Sequence, residues 1–129
     1  SEGTECKQEI NEVDLHSAIE QVWKLNLGDD QSRALIPQLS AHGRASFERL
    51  VASYLDQSDH EFMLSEKTEV GFLRLIAYSK FHSDGLAYLP QDIRLNKIRS
   101  LSADFGIAEH VVRKAIALGP AQIDQTLNQ

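Results

Sequence analysis

The chain has 129 residues, of which 42% are hydrophobic and 25% charged, a composition typical of one globular domain with its own core. No apolar run approaches the roughly 18 residues of a membrane-spanning helix, so we expect no contact with a membrane. The formal net charge is −6, with −7 on residues 1–90 and +1 on residues 91–129, and this acidic balance argues against non-specific binding of nucleic acid through the whole surface.

The N-terminal residues 1–9 are polar, lack the apolar core of a signal peptide and are predicted to form a flexible tail. Cys6 is the single cysteine, which excludes an internal disulfide and a cysteine-based metal cluster and favours a reducing, cytoplasmic location. Residues 10–129 are predicted to form one helical domain. An alternative subdivision gives a bundle over residues 10–85 and a three-helix unit over residues 90–127.

The first predicted helix begins at Asn11, a good N-cap, and stops at Gly28. Its apolar face has seven residues at helical spacing: Val13, Leu15, Ala18, Ile19, Val22, Trp23 and Leu25. Trp23 is therefore expected in the core. A short second helix is predicted next, ending near Pro37, and residues 40–43 are interpreted as a break.

The clearest amphipathic helix follows, with an apolar stripe at i, i+3, i+4, i+7 and i+8: Phe47, Leu50, Val51, Tyr54 and Leu55. A capping box at Ser58–Glu61 predicts the start of another helix. Residues 70–81 are apolar on most sides, which is typical of a central helix covered by its neighbours. Residues 82–85 are expected to end that helix.

Pro90 suits the first turn of the next helix, whose apolar face is Ile93, Leu95, Ile98 and Leu101. Residues 108–118 are predicted to form a further helix, closed by Gly119 and Pro120, and residues 121–127 a last short one. No segment shows the sustained alternation of a half-buried strand. The predicted fold is therefore all-α, a compact bundle of six or seven helices.

The most informative segment is residues 98–116, in which apolar residues flank Gly106 at helical spacing. Glycine adopts left-handed conformations readily, so Gly106 is predicted to turn one helix sharply into the next. The simplest interpretation is that the flanking apolar residues belong to the core. The alternative is that these helices form a unit that docks a macromolecular partner. The segment resembles two families of such units.

Residues 98–118 resemble a helix-turn-helix, with four residues at the apolar positions of that family: Leu101, Phe105, Ile107 and Val112. Ser102 and Ala115 depart from the family pattern. The resemblance implies a recognition helix that starts near residue 108 and reads duplex DNA, as in proteins of transcription or of plasmid and phage DNA maintenance. It implies the following nucleic-acid-binding residues: Lys97, Arg99, His110, Arg113 and Lys114.

Residues 98–127 also resemble a ubiquitin-associated three-helix domain. The matching residues are Phe105-Gly106-Ile107 at the turn, then Ala115-Ile116, Ile123 and Leu127. This resemblance implies a protein partner, contacted by Phe105, Gly106, Ile107 and Ile116. The acidic balance of the chain favours protein docking over DNA binding.

No sequence pattern indicates catalysis or a cofactor, since a Gly-x-Ser-x-Gly elbow and a phosphate loop are both missing. Asp59-His60-Glu61 and His82-Ser83-Asp84 carry metal-ligand residue types, but without the spacing of a helical metal site, so no metal is expected. We therefore expect a non-enzymatic binding or regulatory domain that docks a protein through its C-terminal helices, with DNA binding as the alternative. A symmetric homodimer and an enzyme site hidden between helices stay open.

Overall fold

The computed structural model describes residues 12–56 and 64–129, and in these two ranges the chain forms an all-α bundle of six helices. The helices are α1 (Leu15–Lys24), α2 (Asp29–Leu35), α3 (Ala41–Leu55), α4 (Glu66–Leu86), α5 (Gln91–Phe105) and α6 (Glu109–Leu127), with a 3₁₀ turn at Ile36–Gln38. The predicted fold class is confirmed. Among these helices, none is both long enough and apolar enough to cross a membrane.

Side-chain caps set the starts of α1, α3 and α4. The backbone N–H of Ser17 donates to Asp14 at 2.7 Å, and that of Gly43 donates to Ser40 Oγ at 3.0 Å. Ser65 caps α4 in the same way. The break expected at residues 40–43 is therefore wrong, because Ser40 is the N-cap of α3 and residues 41–43 form its first turn. The predicted caps at Asn11 and Ser58–Glu61 lie outside the described residues.

Two helix ends also differ from the prediction. Helix α1 ends at Lys24, earlier than Gly28, and Asn26 then takes a left-handed conformation with φ 51°. Asparagine tolerates that conformation better than most residues. Gly28 instead forms the N-cap of α2. Helix α4 continues through residues 82–85 to Leu86, because Gly85 keeps a helical conformation there.

Helix α4 lies at the centre of the bundle, as its apolar sequence predicts. It packs against α1, α2, α5 and α6, and it buries nearly every residue from Val70 to Ala77. The predicted stripe of α3 is also internal, with Phe47, Leu50 and Val51 fully buried. These three residues therefore belong to the core. One hydrophobic cluster collects side chains from all six helices.

Three residues predicted for apolar helix faces are exposed. Leu25 is 65% exposed, Ile93 48% and Trp23 40%. Ile93 lies in the first turn of α5, and the residues that this helix buries, Ile98 and Leu101, lie more than one turn further along. Trp23 lies at the edge of the buried face of α1, where its ring contacts Phe81 and His82 of α4. The exposure of Trp23 bears directly on the candidate site.

Candidate functional site

The predicted glycine turn joins α5 to α6. Gly106 follows Phe105 with φ 68° and ψ 33°, the left-handed region in which glycine carries no steric cost. The N–H groups of Gly106 and Ile107 both donate to the Ser102 carbonyl oxygen, at 2.9 and 3.2 Å. Ser102 Oγ in turn donates to the Ile107 carbonyl at 2.6 Å. The serine at this position therefore closes the turn with its own hydroxyl.

The turn packs tightly on α4, and Gly71 makes this packing possible. A Cβ atom at Gly71 would overlap the Phe105 carbonyl oxygen and would lie 3.2 Å from Ile107 Cδ1. The side chain of Ile107 is only 4% exposed as a result. The sequence alone gave no sign of this role for Gly71, because the close approach joins residues more than 30 positions apart.

The four residues predicted to contact a protein partner do not form one surface. Ile107 lies in the core, where its side chain packs against α4. Its assignment as a contact residue is therefore corrected. Phe105 is half-buried and Gly106 exposed at the turn. Ile116 is half-buried as well, but it lines a separate cleft in which neither Phe105 nor Gly106 takes part.

The residues predicted to bind DNA are also separated. Lys97 and Arg99 lie about 160° apart around α5, at 100° per residue. Lys114 is paired with Asp56, at the end of α3, with Nζ–Oδ1 at 2.5 Å. Arg113 and His110 are exposed on α6, and Arg113 lines the cleft that contains Ile116. Lys97 and Arg99 therefore cannot lie on the same face of α5.

An aromatic groove is present beside the turn, and sequence reasoning missed it. Its walls come from three helices, and its volume is about 250 Å³. We define the aromatic groove by Trp23, Asn26, Arg74, Tyr78, His82 and Phe105. Trp23 stacks on Phe81, with ring centroids 5.2 Å apart and an interplanar angle of 13°. The ring of His82 meets the edge of Trp23 at 4.3 Å and stacks on Tyr78 at 4.6 Å.

Cations flank the aromatic rings of the groove. The Arg74 guanidinium carbon lies 4.9 Å from the centroid of Phe105 and also pairs with Asp29 at 2.6 Å. Lys97 Nζ lies 5.9 Å from the centroid of Tyr78. Cations over ring faces are held by the electron-rich π system. Within residues 12–56 and 64–129, no carboxylate lies within 4 Å of Lys97 Nζ.

Two pKa values in the groove are shifted by its surroundings. Burial, and secondarily the positive charge of Lys97, lower the pKa of the His82 imidazole below its ordinary value of 6.5. Burial also raises the pKa of the Tyr78 phenol. Both rings are therefore held neutral near pH 7, which suits stacking and apolar contact.

The second concave surface is a cleft of about 450 Å³ between α4, α5 and α6. We call it the arginine cleft and define it by Asp84, Arg94, Ile98, Arg113, Ile116 and Pro120. It shares no lining residue with the aromatic groove. In the described part of the chain, no group of three or more histidine, cysteine, aspartate or glutamate side chains could hold a metal ion. Asp59, His60 and Glu61 lie outside that part.

No protein-family model matches this chain, and no curated protein or solved structure is significantly similar to it.

Proposed function

We propose that this protein is a non-enzymatic binding domain that docks a partner protein through the aromatic groove beside the Phe105–Gly106 turn. One observation carries the proposal: an exposed tryptophan, Trp23, lines a groove together with Tyr78, Phe105 and Arg74. Tryptophan, tyrosine and arginine are the residue types that contribute most to binding energy at protein interfaces. Aromatic residues and arginine are also enriched in the centre of such interfaces.

The size of the groove favours a protein segment over a small molecule. Its volume of about 250 Å³ lies below the roughly 300–1,000 Å³ of typical small-molecule pockets. A groove of this size accepts one or two apolar side chains of a partner. The proposal keeps the contact predicted at Phe105 and extends it to Trp23 and Tyr78, which the turn brings close to Phe105.

The charge at the groove favours an acidic partner. Lys97 lies at Tyr78 and has no carboxylate within 4 Å among the described residues. A carboxylate on the partner would complete this ion pair at the edge of the groove. The partner segment is therefore an apolar anchor side chain with an aspartate or glutamate next to it.

Duplex DNA is the competing partner, and the structure supports it less. DNA binding would use Arg99, His110 and Arg113, which are exposed. A duplex presents a continuous row of phosphates, however, and Lys97 and Arg99 lie about 160° apart around α5. Competition between duplex DNA and a bound peptide therefore distinguishes the two partners.

The test uses random 12-residue peptides displayed on phage, selected on the wild-type protein. We expect enrichment of peptides that combine an aromatic or large aliphatic residue with an adjacent Asp or Glu. Trp23 is the sole tryptophan of the chain, so its emission reports on the groove without any label. A selected synthetic peptide is expected to shift this emission to shorter wavelength as it excludes water from the indole.

Matched variants locate the binding. Tyr78→Ala is expected to lower the affinity for the peptide by about 30-fold, because it removes a contact worth about 2 kcal/mol. Tyr88→Ala removes an aromatic side chain that is 88% exposed and lies outside the groove, and it should leave the affinity unchanged. Equal affinity of wild type and Tyr78→Ala would contradict the proposal. So would tight, salt-sensitive binding of random duplex DNA that competes with the peptide.

A further inference from the structure

The arginine cleft has the dimensions of a small-molecule site. Its volume of about 450 Å³ falls within the roughly 300–1,000 Å³ usual for such sites. It lies apart from the aromatic groove, since the two have no lining residue in common. Its chemistry therefore calls for a separate explanation.

A kink in α6 forms one wall of the arginine cleft. Gly119 has φ 65° and ψ −165°, a conformation essentially confined to glycine. Pro120 follows, and because proline lacks an N–H group it suits the first position of the helical segment after the kink. Leu118 and Pro120 thus come to line the cleft opposite Ile98 on α5. The walls are mostly apolar.

Two arginines line the cleft together with these apolar walls. Arg94 comes from α5 and Arg113 from α6. In the described ranges, no carboxylate lies within 4 Å of either side chain. Asp84 is the acidic residue that lines the cleft. Two positive charges and one negative charge leave a net charge of +1, which one negative charge on a ligand would balance.

We propose that the arginine cleft binds a small organic monocarboxylate with an apolar body. The carboxylate lies between Arg94 and Arg113, because the planar guanidinium fork donates paired hydrogen bonds to a carboxylate. The apolar body packs against Ile98, Ile116 and Pro120.

The charge balance distinguishes a carboxylate from a phosphate ester. A phosphate dianion would leave the cleft with a negative charge beside Asp84, whereas a carboxylate leaves it neutral. A monocarboxylate is therefore expected to bind more tightly than a phosphate ester of the same length. Replacement of Asp84 by asparagine should reverse or remove this preference.

The experiment uses calorimetry and ¹H–¹⁵N NMR of the full chain with decanoate as the probe. We expect saturable binding with one decanoate per chain and shifts of the backbone amides around residues 116–121. Decanol, which has the same chain and no charge, should bind at least tenfold more weakly, and decyl phosphate should also bind more weakly. The emission of Trp23 should not change, because Trp23 lies outside the cleft.

Substitutions at the two arginines test the assignment. Arg94→Gln and Arg113→Gln should each lower the affinity for decanoate at least tenfold. Lysine at either site should retain more of the affinity than glutamine does. Arg99→Gln is the matched control, since Arg99 is an exposed arginine of α5 that does not line the cleft. Asp84→Asn should tighten decanoate binding about two- to threefold.

Three results would overturn the proposal. They are the lack of saturable decanoate binding by wild type, equal affinity in the two glutamine variants, and decanol binding as tight as decanoate. Circular dichroism of each variant separates loss of folding from loss of binding. None of these results bears on the aromatic groove, so the two proposals can fail independently.

Discussion

The aromatic groove and the arginine cleft are both bordered by α4, and they differ in how they use positive charge. In the groove the cations lie over rings, Arg74 over Phe105 and Lys97 over Tyr78. In the cleft Arg94 and Arg113 flank apolar walls. The groove thus presents ring surface edged by charge, which suits a protein segment. The cleft combines two arginines with mostly apolar walls, which suits a small amphipathic anion.

A large effect is expected from Gly71→Ala, which breaks the packing beneath the groove. Alanine gains about 1 kcal/mol of helix propensity over glycine, but its Cβ would overlap the backbone oxygen of Phe105. Because a backbone oxygen cannot rotate away, α4 and the turn must separate, at a cost near the upper end of the roughly 1–3 kcal/mol typical of overpacking. Urea unfolding should show a net loss of about 2 kcal/mol.

Gly85→Ala is the control for this prediction. Gly85 belongs to the same helix, and nothing lies within 4 Å of a Cβ atom built there. This variant should therefore gain up to about 1 kcal/mol of stability. If Gly71→Ala is as stable as the wild type, the close packing of the turn on α4 is wrong. If the packing is right, the folded Gly71→Ala protein should lose affinity for the groove peptide and keep its affinity for decanoate.

Two other glycines sharpen the comparison, because one lies at each surface. Gly119 at the cleft combines φ 65° with ψ −165°, whereas Gly106 at the turn is left-handed with ψ 33°. Alanine should cost about 2–3 kcal/mol at Gly119 and about 1 kcal/mol at Gly106. Asparagine tolerates the left-handed region, so Gly106→Asn should be milder than Gly119→Asn when both are measured by thermal unfolding. Equal costs at the two positions would argue against the kink as described.

A smaller effect is expected from pH, and only at the groove. The lowered pKa of His82 means that the folded state binds fewer protons than the unfolded state just below pH 6.5. Stability should therefore fall as the pH drops below 6.5 toward the pKa of folded His82. NMR titration of the His82 ring should place its pKa below 6.5, and Lys97→Gln should move that pKa upward. A pKa at or above 6.5 would refute the buried, positively charged surroundings assigned to His82.

The smallest effect is expected at Lys114, which belongs to neither surface. Its contact with Asp56 joins two side chains that are 37% and 72% exposed. Exposed ion pairs of this kind contribute about 0–1 kcal/mol. Lys114→Gln should thus change stability by less than about 1 kcal/mol and should change neither peptide nor decanoate affinity. A strong loss of duplex DNA binding in Lys114→Gln would instead favour the helix-turn-helix interpretation.

Local patterns in the sequence predicted the helices well. The stripe at Phe47, Leu50 and Val51 marked the buried face of α3, and the apolar run from Val70 marked α4 as central. The turn at Gly106 and the kink at Gly119 followed from the conformational freedom of glycine. Each of these features depends on residues close together in the chain, where periodicity and backbone preference act directly.

The two surfaces could not be predicted in this way, because each joins distant segments. Trp23 meets Phe81 and His82, almost 60 positions later in the chain. Helical spacing placed Trp23 on the apolar face of α1, but it gave no information on which edge of that face α4 leaves uncovered. Arg94 and Arg113 line the same cleft only because α6 packs beside α5 after the turn at Gly106. The docking interpretation missed the burial of Ile107 for the same reason, because that burial depends on the close approach of Gly71, a distant residue in the chain.

The most direct measurement is one ¹H–¹⁵N NMR experiment in which the selected groove peptide and decanoate are added in turn. We expect two separate sets of shifted signals. The peptide should move the indole N–H of Trp23 and the amides near Tyr78 and Phe105, and decanoate should move the amides of residues 116–119 and 121. A peptide that leaves the Trp23 indole unchanged, or two ligands that shift the same residues, would contradict the account.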